Sequence, residues 1–261
     1  MDFTLKLYRR LLTALKEKSY ACLTFAEYMQ GARPERFVIL RHDVDLKPGN
    51  SLKVAQLEKA AGMKASYYFR AVPESWDESV IREIAALGHE VGYHYESLTT
   101  CRGDLEAAYK DFTQNLECLR TLAPVETICM HGSPRSPWDS RDLWKHYSYK
   151  DLGIIGEPYY DVDFSDVFYL TDTGRRWDGF KVSVRDRIPE HLDRWCTEGL
   201  VYHSTQDIID ALQDGTFPQR LMITTHPQRW TDKPLPWGKE LAAQRGKNLI
   251  KFFIVRTRKR I

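Results

Sequence analysis

The sequence predicts a single α/β domain built as a (β/α) barrel of about seven parallel strands. Short apolar runs alternate with longer segments of helical periodicity, and no linker rich in Pro, Gly or Ser divides the 261 residues. Polar residues follow several apolar runs at the point where a strand would end. Strand–helix alternation implies parallel strands with right-handed crossovers, which can close into a barrel. A doubly wound open sheet is the alternative, although no GxGxxG follows the first strand.

The predicted order of elements divides the chain into three parts of one domain, 1–261. Residues 1–33 form a helical extension, with leucines at helical spacing over 3–18. Residues 37–227 form the barrel core, and residues 235–258 form a closing helix. The predicted strands are FVILRHD, ASYYFR, HEVGYHYE, ETICMHG, LGIIGEP, VFYLTD, LVYHST and RLMITTH. The predicted helices between them cover about 50–61, 74–87, 104–122, 139–147 and 207–215, and 174–200 is irregular.

Composition limits the classes of function. Apolar residues make up 43% and charged residues 28% of the chain, which is typical of a folded globule. A net charge of +2 does not indicate a basic surface for binding nucleic acid. The sequence has five cysteines, an odd number, and no CxxC motif. This favours free thiols in a reducing compartment over a set of disulfides. Since no window is apolar enough to insert into a membrane, a cytoplasmic protein is expected.

The polar residues at the strand ends suggest a hydrolytic metal site. Asp43 and Asp45 follow the first strand and point the same way, because side chains alternate along a strand. His94, His131 and His226 end three later strands. The carboxyl ends of parallel barrel strands form one rim, so these five side chains are expected to converge. One aspartate with two histidines can hold a metal, while the second aspartate accepts a proton.

The motifs RHDVD, GHEVGYHYE and ITTHP occur in this order and resemble those of the polysaccharide deacetylases with the NodB homology domain, a carbohydrate esterase 4-like family. HDVD, HGSP and THPQRW further resemble an intracellular subgroup. The resemblance implies a distorted, TIM-like NodB-type barrel that binds a divalent metal, with zinc as the first candidate. It makes Asp43 the catalytic base and His226 the catalytic acid, and makes Asp45 and His94 metal ligands. The implied reaction removes an acetyl group from an N-acetylated sugar in surface polysaccharide biosynthesis.

The chain departs from the family pattern at two points. The second histidine of the family motif would fall at Leu98, which cannot bind metal. The replacements that remain open are, in order, His131, Glu96 and His89. The family also has an arginine that orients the base, and here the arginines that can supply its charge are Arg41, Arg135, Arg175 and Arg176.

The expected substrate wall consists of arginines and tryptophans near the strand ends, since aromatic faces stack on sugar rings and guanidinium groups bind hydroxyls or phosphates. These residues are Arg70, Arg176, Trp177 and Trp230. The expected partner is a carbohydrate or a nucleotide- or lipid-linked sugar. Two alternatives remain open: hydrolysis of another non-peptide carbon–nitrogen bond on the same scaffold, or a carbohydrate-binding barrel that has lost catalysis.

Overall fold

Helices and strands alternate along the chain as predicted. The computed structural model describes residues 1–133, 136–179 and 186–258, with side chains to residue 248. The strands are β1 Ala21–Leu23, β2 Phe37–Val44, β3 Ser66–Phe69, β4 Glu90–Tyr95, β5 Ile128–Met130, β6 Phe168–Thr171 and β7 Arg220–Thr225. The helices are α1 Leu5–Glu17, α2 Phe25–Met29, α3 Pro48–Ala61, α4 Glu78–Ala86, α5 Ser97–Thr100, α6 Leu105–Arg120, α7 Pro158–Asp161, α8 Pro189–Thr197, α9 Thr205–Asp214 and α10 Pro234–Arg258. Short 3₁₀ helices cover Ser140–Lys145, Tyr149–Leu152 and Pro227–Arg229.

The seven strands form one parallel sheet. Its order is β5-β4-β3-β2-β7-β6, and β1 pairs with β2. The central strand β2 is buried at all eight positions, as a strand covered on both faces must be. The predicted parallel α/β fold is therefore confirmed.

The sheet curls into a half-barrel. A flat sheet would place β2 and β5, which are three strands apart, about 14 Å from each other. Side-chain atoms of Asp43 on β2 and Cys129 on β5 instead lie within 4.8 Å of each other. Within the described ranges β5 and β6 end the strand path without pairing to each other. Residues 139–166 lie between them in sequence, and the ring of Tyr159 from this segment lies 5.2 Å from the Arg41 guanidinium inside the barrel.

Several elements differ from the sequence prediction, which also lacked the short helices α5 and α7. Residues 21–23 add the short strand β1 to a segment predicted as helical only. LGIIGEP contributes one isolated bridge, Thr127 to Gly156. The described residues 200–205 contain no strand, because Ser204 is used in the capping box of α9. Helix α8 lies in the stretch predicted to be irregular.

Helix α3 covers the outer face of the sheet behind β2 and supplies the fully buried carboxylate of Glu58. Glu58 accepts hydrogen bonds from Tyr8 OH at 2.5 Å and Tyr67 OH at 2.6 Å, and it lies 2.7 Å from His42 Nε2. The other ring nitrogen of His42 lies 2.7 Å from Thr225 Oγ1. These five residues, the Glu58 cluster, join α1, α3, β2, β3 and β7. Because His42 faces outward, its neighbours Arg41 and Asp43 face the barrel interior.

The first residues of the chain are packed against α9 and α10. Asp2 accepts hydrogen bonds from the Thr205 main-chain nitrogen at 3.0 Å and from Thr205 Oγ1 at 2.5 Å. Phe3 packs against Trp177 and Trp230, with ring centroids 6.0 Å and 5.2 Å away. No helix in the described part of the chain has the length and hydrophobicity needed to cross a bilayer.

Candidate active site

The carboxyl ends of β2, β4, β5 and β7 bring five predicted side chains together. The Asp45 carboxylate lies at the centre of the group. Its Oδ1 is 3.7 Å from His94 Nε2 and 3.5 Å from His131 Nε2. Its Oδ2 is 3.8 Å from His226 Nε2, and Asp43 Oδ2 lies 3.7 Å from His94 Nε2. Residues separated by up to 183 positions thus share one rim.

His94 and His131 both present Nε2 toward Asp45. His94 Nδ1 lies 2.9 Å from the carbonyl oxygen of Cys129, which can only accept, so Nδ1 carries the proton. His131 Nδ1 lies 2.8 Å from Glu96 Oε2. Burial and the neighbouring His131 hold the pKa of His94 well below its usual value, so His94 is a neutral imidazole with a free lone pair on Nε2.

Asp45, His94 and His131 fit a divalent metal ion. Asp45 Oδ1 is buried and has no hydrogen-bond partner among the described residues. Burial opposes ionisation of Asp45, but His131, His226 and His94 outweigh it and lower its pKa. Two imidazoles and one carboxylate form a donor set typical of zinc, whose tetrahedral ligands lie about 3.3 Å apart. The separations of 3.5 and 3.7 Å from Asp45 Oδ1 are close to that spacing.

A second set of possible donors overlaps the first. Ligand atoms of Asp43, His94 and Cys129 all lie within 4.8 Å of one another. Burial raises the pKa of the Cys129 thiol well above its usual value, although the Arg41 charge opposes this. Both oxygens of Asp43 are already held by Arg41. The set with Asp45 and His131 therefore offers the more available lone pairs.

Arg41 orients the predicted base. Its Nε and Nη2 donate to the two oxygens of Asp43 at 2.9 Å and 2.7 Å. Arg41 precedes Asp43 by two positions on β2, so both side chains point into the barrel. This geometry selects Arg41 among the four arginines considered. Arg175 and Arg176 contact Trp237 and Asp178 instead, and Arg135 lies outside the described residues.

His226 is held by Asp172, an aspartate that was not predicted as a site residue from the sequence. His226 Nδ1 lies 2.6 Å from Asp172 Oδ1, directly after β6. Arg229 Nη1 lies 2.8 Å from the same nitrogen, but an Nδ1–H that donates to Asp172 cannot also accept. Burial and Arg229 lower the pKa of His226, and Asp172 outweighs them, so the pKa is raised. The ring thus retains a proton that Nε2 can donate toward the Asp45 side.

The THPQRW segment turns back over the site in a short 3₁₀ helix. Gln228 Nε2 donates to Asp45 Oδ2 at 3.3 Å. Arg229 Nη1 and Trp230 Nε1 donate to the two oxygens of Asp172, at 2.6 Å and 2.9 Å. The sequence around Asp172 does not reveal what its carboxylate binds, because its side-chain partners lie more than 50 positions away. The pattern of polar residues directly after strands, which identified His226, also fits Asp172 in VFYLTD.

Leu98, which stands where the family has its second histidine, is packed in the hydrophobic core. Leu98 is 4% exposed and lies in α5 within the hydrophobic core. Glu96 is paired with Arg70 and His131, which outweigh burial and lower the pKa of Glu96 to about 2. His89 binds the main chain of Ala55 and Ala65 through its two ring nitrogens, at the opposite end of the sheet. Of the three candidate replacements, His131 is thus the one that presents an available ligand atom, Nε2, to Asp45.

The predicted substrate wall is not assembled as expected. Trp177 is 2% exposed and donates to Thr205 Oγ1, and Trp230 is 1% exposed and donates to Asp172. Neither ring has a face open to a sugar, because Phe3 and α1 cover them. Arg176 lies against Asp178 on the side of α9, and the guanidinium of Arg70 binds Glu96. This is a correction to the expected stacking role of the two tryptophans.

Comparison with known proteins gives matches in structure. No protein-family model matches the chain, and no curated protein matches its sequence. Bacillus subtilis PdaA, a family 4 carbohydrate esterase, is 12% identical, with a TM-score of 0.41 over 90% of this chain and 82% of its own.

Two structures of mutant BA3943 are also similar. One, a CE4 family pseudoenzyme with restored enzymatic activity, is 11% identical, with a TM-score of 0.41 over 84% of this chain and 65% of its own. The other, a CE4 family pseudoenzyme, is 13% identical, with a TM-score of 0.40 over 84% and 67%. These neighbours are CE4 proteins, the same family that RHDVD and GHEVGYHYE resemble. At these values structural likeness alone assigns neither membership nor activity to this chain.

Proposed function

We propose that the protein is a metal-dependent hydrolase that removes the acetyl group from an N-acetylated sugar. The observation that carries this proposal is the placement of two acid–base groups on opposite sides of Asp45. Asp43, held by Arg41, lies on the β2 side, and His226, held by Asp172, lies on the β7 side. Amide hydrolysis needs both functions, because water must lose a proton and the leaving amine must gain one.

The base and the acid are each held in one orientation by their partners. Arg41 keeps Asp43 directed into the barrel, where Asp43 can accept the proton of the attacking water. Asp172 keeps His226 protonated, and Nε2 of His226 can donate that proton to the departing nitrogen. Acid–base assistance of this kind is typically worth about 10²–10⁴-fold in rate.

Asp45, His94 and His131 would hold the metal. When bound, a divalent ion such as zinc would polarise the acyl carbonyl and acidify water. Gln228, which donates to Asp45 Oδ2, leaves Oδ1 available and keeps the carboxylate in a fixed plane. The three residues thus supply one negative charge and two neutral nitrogens to the ion.

The sugar specificity is proposed from the motif resemblance, with a role in surface polysaccharide biosynthesis and with nucleotide- or lipid-linked sugars included as substrates. The described side chains do not include an open aromatic platform at Trp177 or Trp230, so sugar contacts are expected to be mainly polar.

Acetate release tests this proposal directly. The purified protein is loaded with Zn²⁺ and incubated with N-acetylglucosamine oligomers and with UDP-N-acetylglucosamine. We expect acetate and free amine in equal amounts, loss of turnover with retained metal in Asp43→Asn, and loss of bound metal in Asp45→Ala. Exposed Asp166→Asn serves as the control.

Three results would contradict the proposal. They are a wild-type protein that binds no divalent metal, metal content that is unchanged in Asp45→Ala, and sugar binding without turnover that survives in Asp43→Asn. The last result would favour a carbohydrate-binding barrel. Turnover of formamides or cyclic amides, with none of acetamides, would instead move the substrate to another carbon–nitrogen bond.

A further inference from the structure

We propose that Glu96 and Arg70 act as a positioning pair that makes His131 a metal ligand in place of the missing histidine at Leu98. The inference rests on the proposed function, because it concerns how one side chain of the proposed metal site is held. Arg70 thus orients this site, whereas its position after a strand predicted a role in binding substrate.

His131 depends on Glu96 for its ring orientation. Its main-chain nitrogen donates to the Tyr95 carbonyl at 2.8 Å, which fixes the backbone beside β4. The ring is held by the 2.8 Å hydrogen bond from Nδ1 to Glu96 Oε2. A carboxylate only accepts, so this bond places the proton on Nδ1 and leaves the lone pair of Nε2 facing Asp45. Carboxylate partners of this kind orient ligating histidines in metalloproteins.

Arg70 holds Glu96 in the orienting position. Its Nε and Nη2 both donate to Glu96 Oε1, at 2.9 Å and 2.5 Å. Glu96 therefore has one oxygen on Arg70 and the other on His131, which is the arrangement of an orienting group. Arg70 Nη1 also donates to the Asp45 main-chain oxygen at 3.3 Å. One guanidinium thus links the segments that carry Asp45 and His131.

The backbone of Arg70 is fixed as well. Its main-chain nitrogen donates to Ser75 Oγ at 3.0 Å, and Ser75 Oγ donates to the carbonyl oxygen of Val44 at the end of β2. The other proposed histidine ligand needs no side-chain partner, because His94 Nδ1 donates to a main-chain carbonyl. A side-chain substitution can therefore release His131 while His94 stays oriented.

Metal affinity measured without turnover tests the inference. Apo-protein competes with a chromogenic chelator for Zn²⁺, and we expect Glu96→Leu to bind about 10–100-fold more weakly than the wild type. Glu96→Gln keeps an oxygen that can accept from Nδ1, so it should recover part of that loss. Arg70→Met should weaken binding in the wild-type background and have a smaller effect in Glu96→Leu, where only its contact with the Asp45 main chain remains to be lost.

A spectroscopic readout separates orientation from general damage to the fold. The visible absorption of bound Co²⁺ responds to the number and geometry of its ligands, so Glu96→Leu should change the spectrum and exposed Glu83→Leu should not. Zn²⁺ affinity and a Co²⁺ spectrum equal to wild type in Glu96→Leu would overturn the inference and leave the proposed function standing. If Glu96→Leu does not fold, Glu96→Gln decides by the same criteria. A wild-type protein without metal affinity would contradict the proposed function itself.

Discussion

Asp172 controls the proton on His226 through one buried hydrogen bond. Its carboxylate is surrounded by the nitrogens of His226, Arg229 and Trp230. Burial opposes its ionisation, but Arg229 and His226 outweigh burial and lower the pKa of Asp172. Asp172 is therefore a fixed negative charge beside an imidazole that burial and Arg229 would otherwise deprotonate.

Asp172→Asn removes this charge and keeps an oxygen that can accept from His226 Nδ1. The pKa of His226 should fall, because the contribution that raises it is lost. An acid is active below its pKa, so the alkaline limb of the pH–rate profile should move to lower pH. Acetate release near pH 7 should fall by up to about 10²–10⁴-fold. An unchanged alkaline limb, with the imidazole of His226 titrating as in wild type by NMR, would contradict this.

The residues of the site differ in how far sequence could identify them. Asp43, Asp45, His94, His131 and His226 were found together because each follows an apolar run, and parallel strands bring such positions to one rim. Arg41 was one of four candidates until its side-chain direction was known. Asp172 was missed, since a single aspartate after a strand is common and its partners are distant.

Two tryptophans were predicted to contact substrate but are buried in the structure. Trp177 and Trp230 lie in segments rich in polar residues, which predicts exposure, but their burial depends on Phe3 and α1. Tertiary contacts of this kind leave no local pattern in the sequence.

At the scale of elements, helix starts were predictable where a short polar side chain supplies the first hydrogen bonds. Thr24, Asp104 and Ser204 are the N-caps of α2, α6 and α9. Helix α3 was predicted to begin at about residue 50, but it begins at Pro48, whose fixed φ suits the first turn. β1 was missed because three residues are too short to show a period.

The Glu58 cluster makes the stability of the packing of α3 on the sheet depend on pH. Burial opposes ionisation of Glu58, but His42 and the other donors outweigh it and lower its pKa from 4.5. A lowered folded-state pKa contributes stability that is present above pH 4.5 and is lost as pH falls through the folded-state value.

Glu58→Gln should destabilise the protein at pH 7 by about 1–3 kcal/mol, because it removes a buried charged acceptor. It should also weaken the dependence of the free energy of unfolding on pH below 4.5, relative to wild type. Urea unfolding at pH 7, 5, 4 and 3 measures both effects, with exposed Glu83→Gln as the control. Parallel stability curves for wild type and Glu58→Gln across this range would show that Glu58 is not the group involved.

At the scale of the whole molecule, the first residues close the fold by joining α9 and α10. Asp2 accepts from Thr205 at the start of α9, and its main-chain oxygen accepts from Trp237 Nε1 at 2.7 Å. The Phe3 carbonyl oxygen accepts from the Thr231 main-chain nitrogen at 3.2 Å. Elements from both ends of the sequence thus depend on one another.

Asp2→Ala should lower the free energy of unfolding by about 1–2 kcal/mol, the usual effect of losing a helix cap. The main-chain contact with Trp237 remains in this variant, so the loss comes from the bonds that the carboxylate accepts from Thr205 and from the Phe3 main-chain nitrogen. The urea midpoint should fall while the m-value is unchanged. Asp210→Ala on the exposed face of α9 is the matched control, and an equal shift in both variants would contradict a capping role.

Among the described residues β5 and β6 do not pair with each other, and this gap in the barrel has a consequence for divergence. Apart from the bridge of Gly156 to Thr127 and the hydrogen bond from the Met130 main-chain nitrogen to Glu157, the stretch 139–166 that lies between them is held by side-chain packing and short helices. Insertions or deletions there outside 154–159 therefore shift no strand register. The strand ends that carry Asp43, His94 and His226 would be unaffected by such changes. Relatives of this chain are therefore expected to vary in length and composition at 139–166, and grafting new segments there is a practical route to redirecting ligand preference.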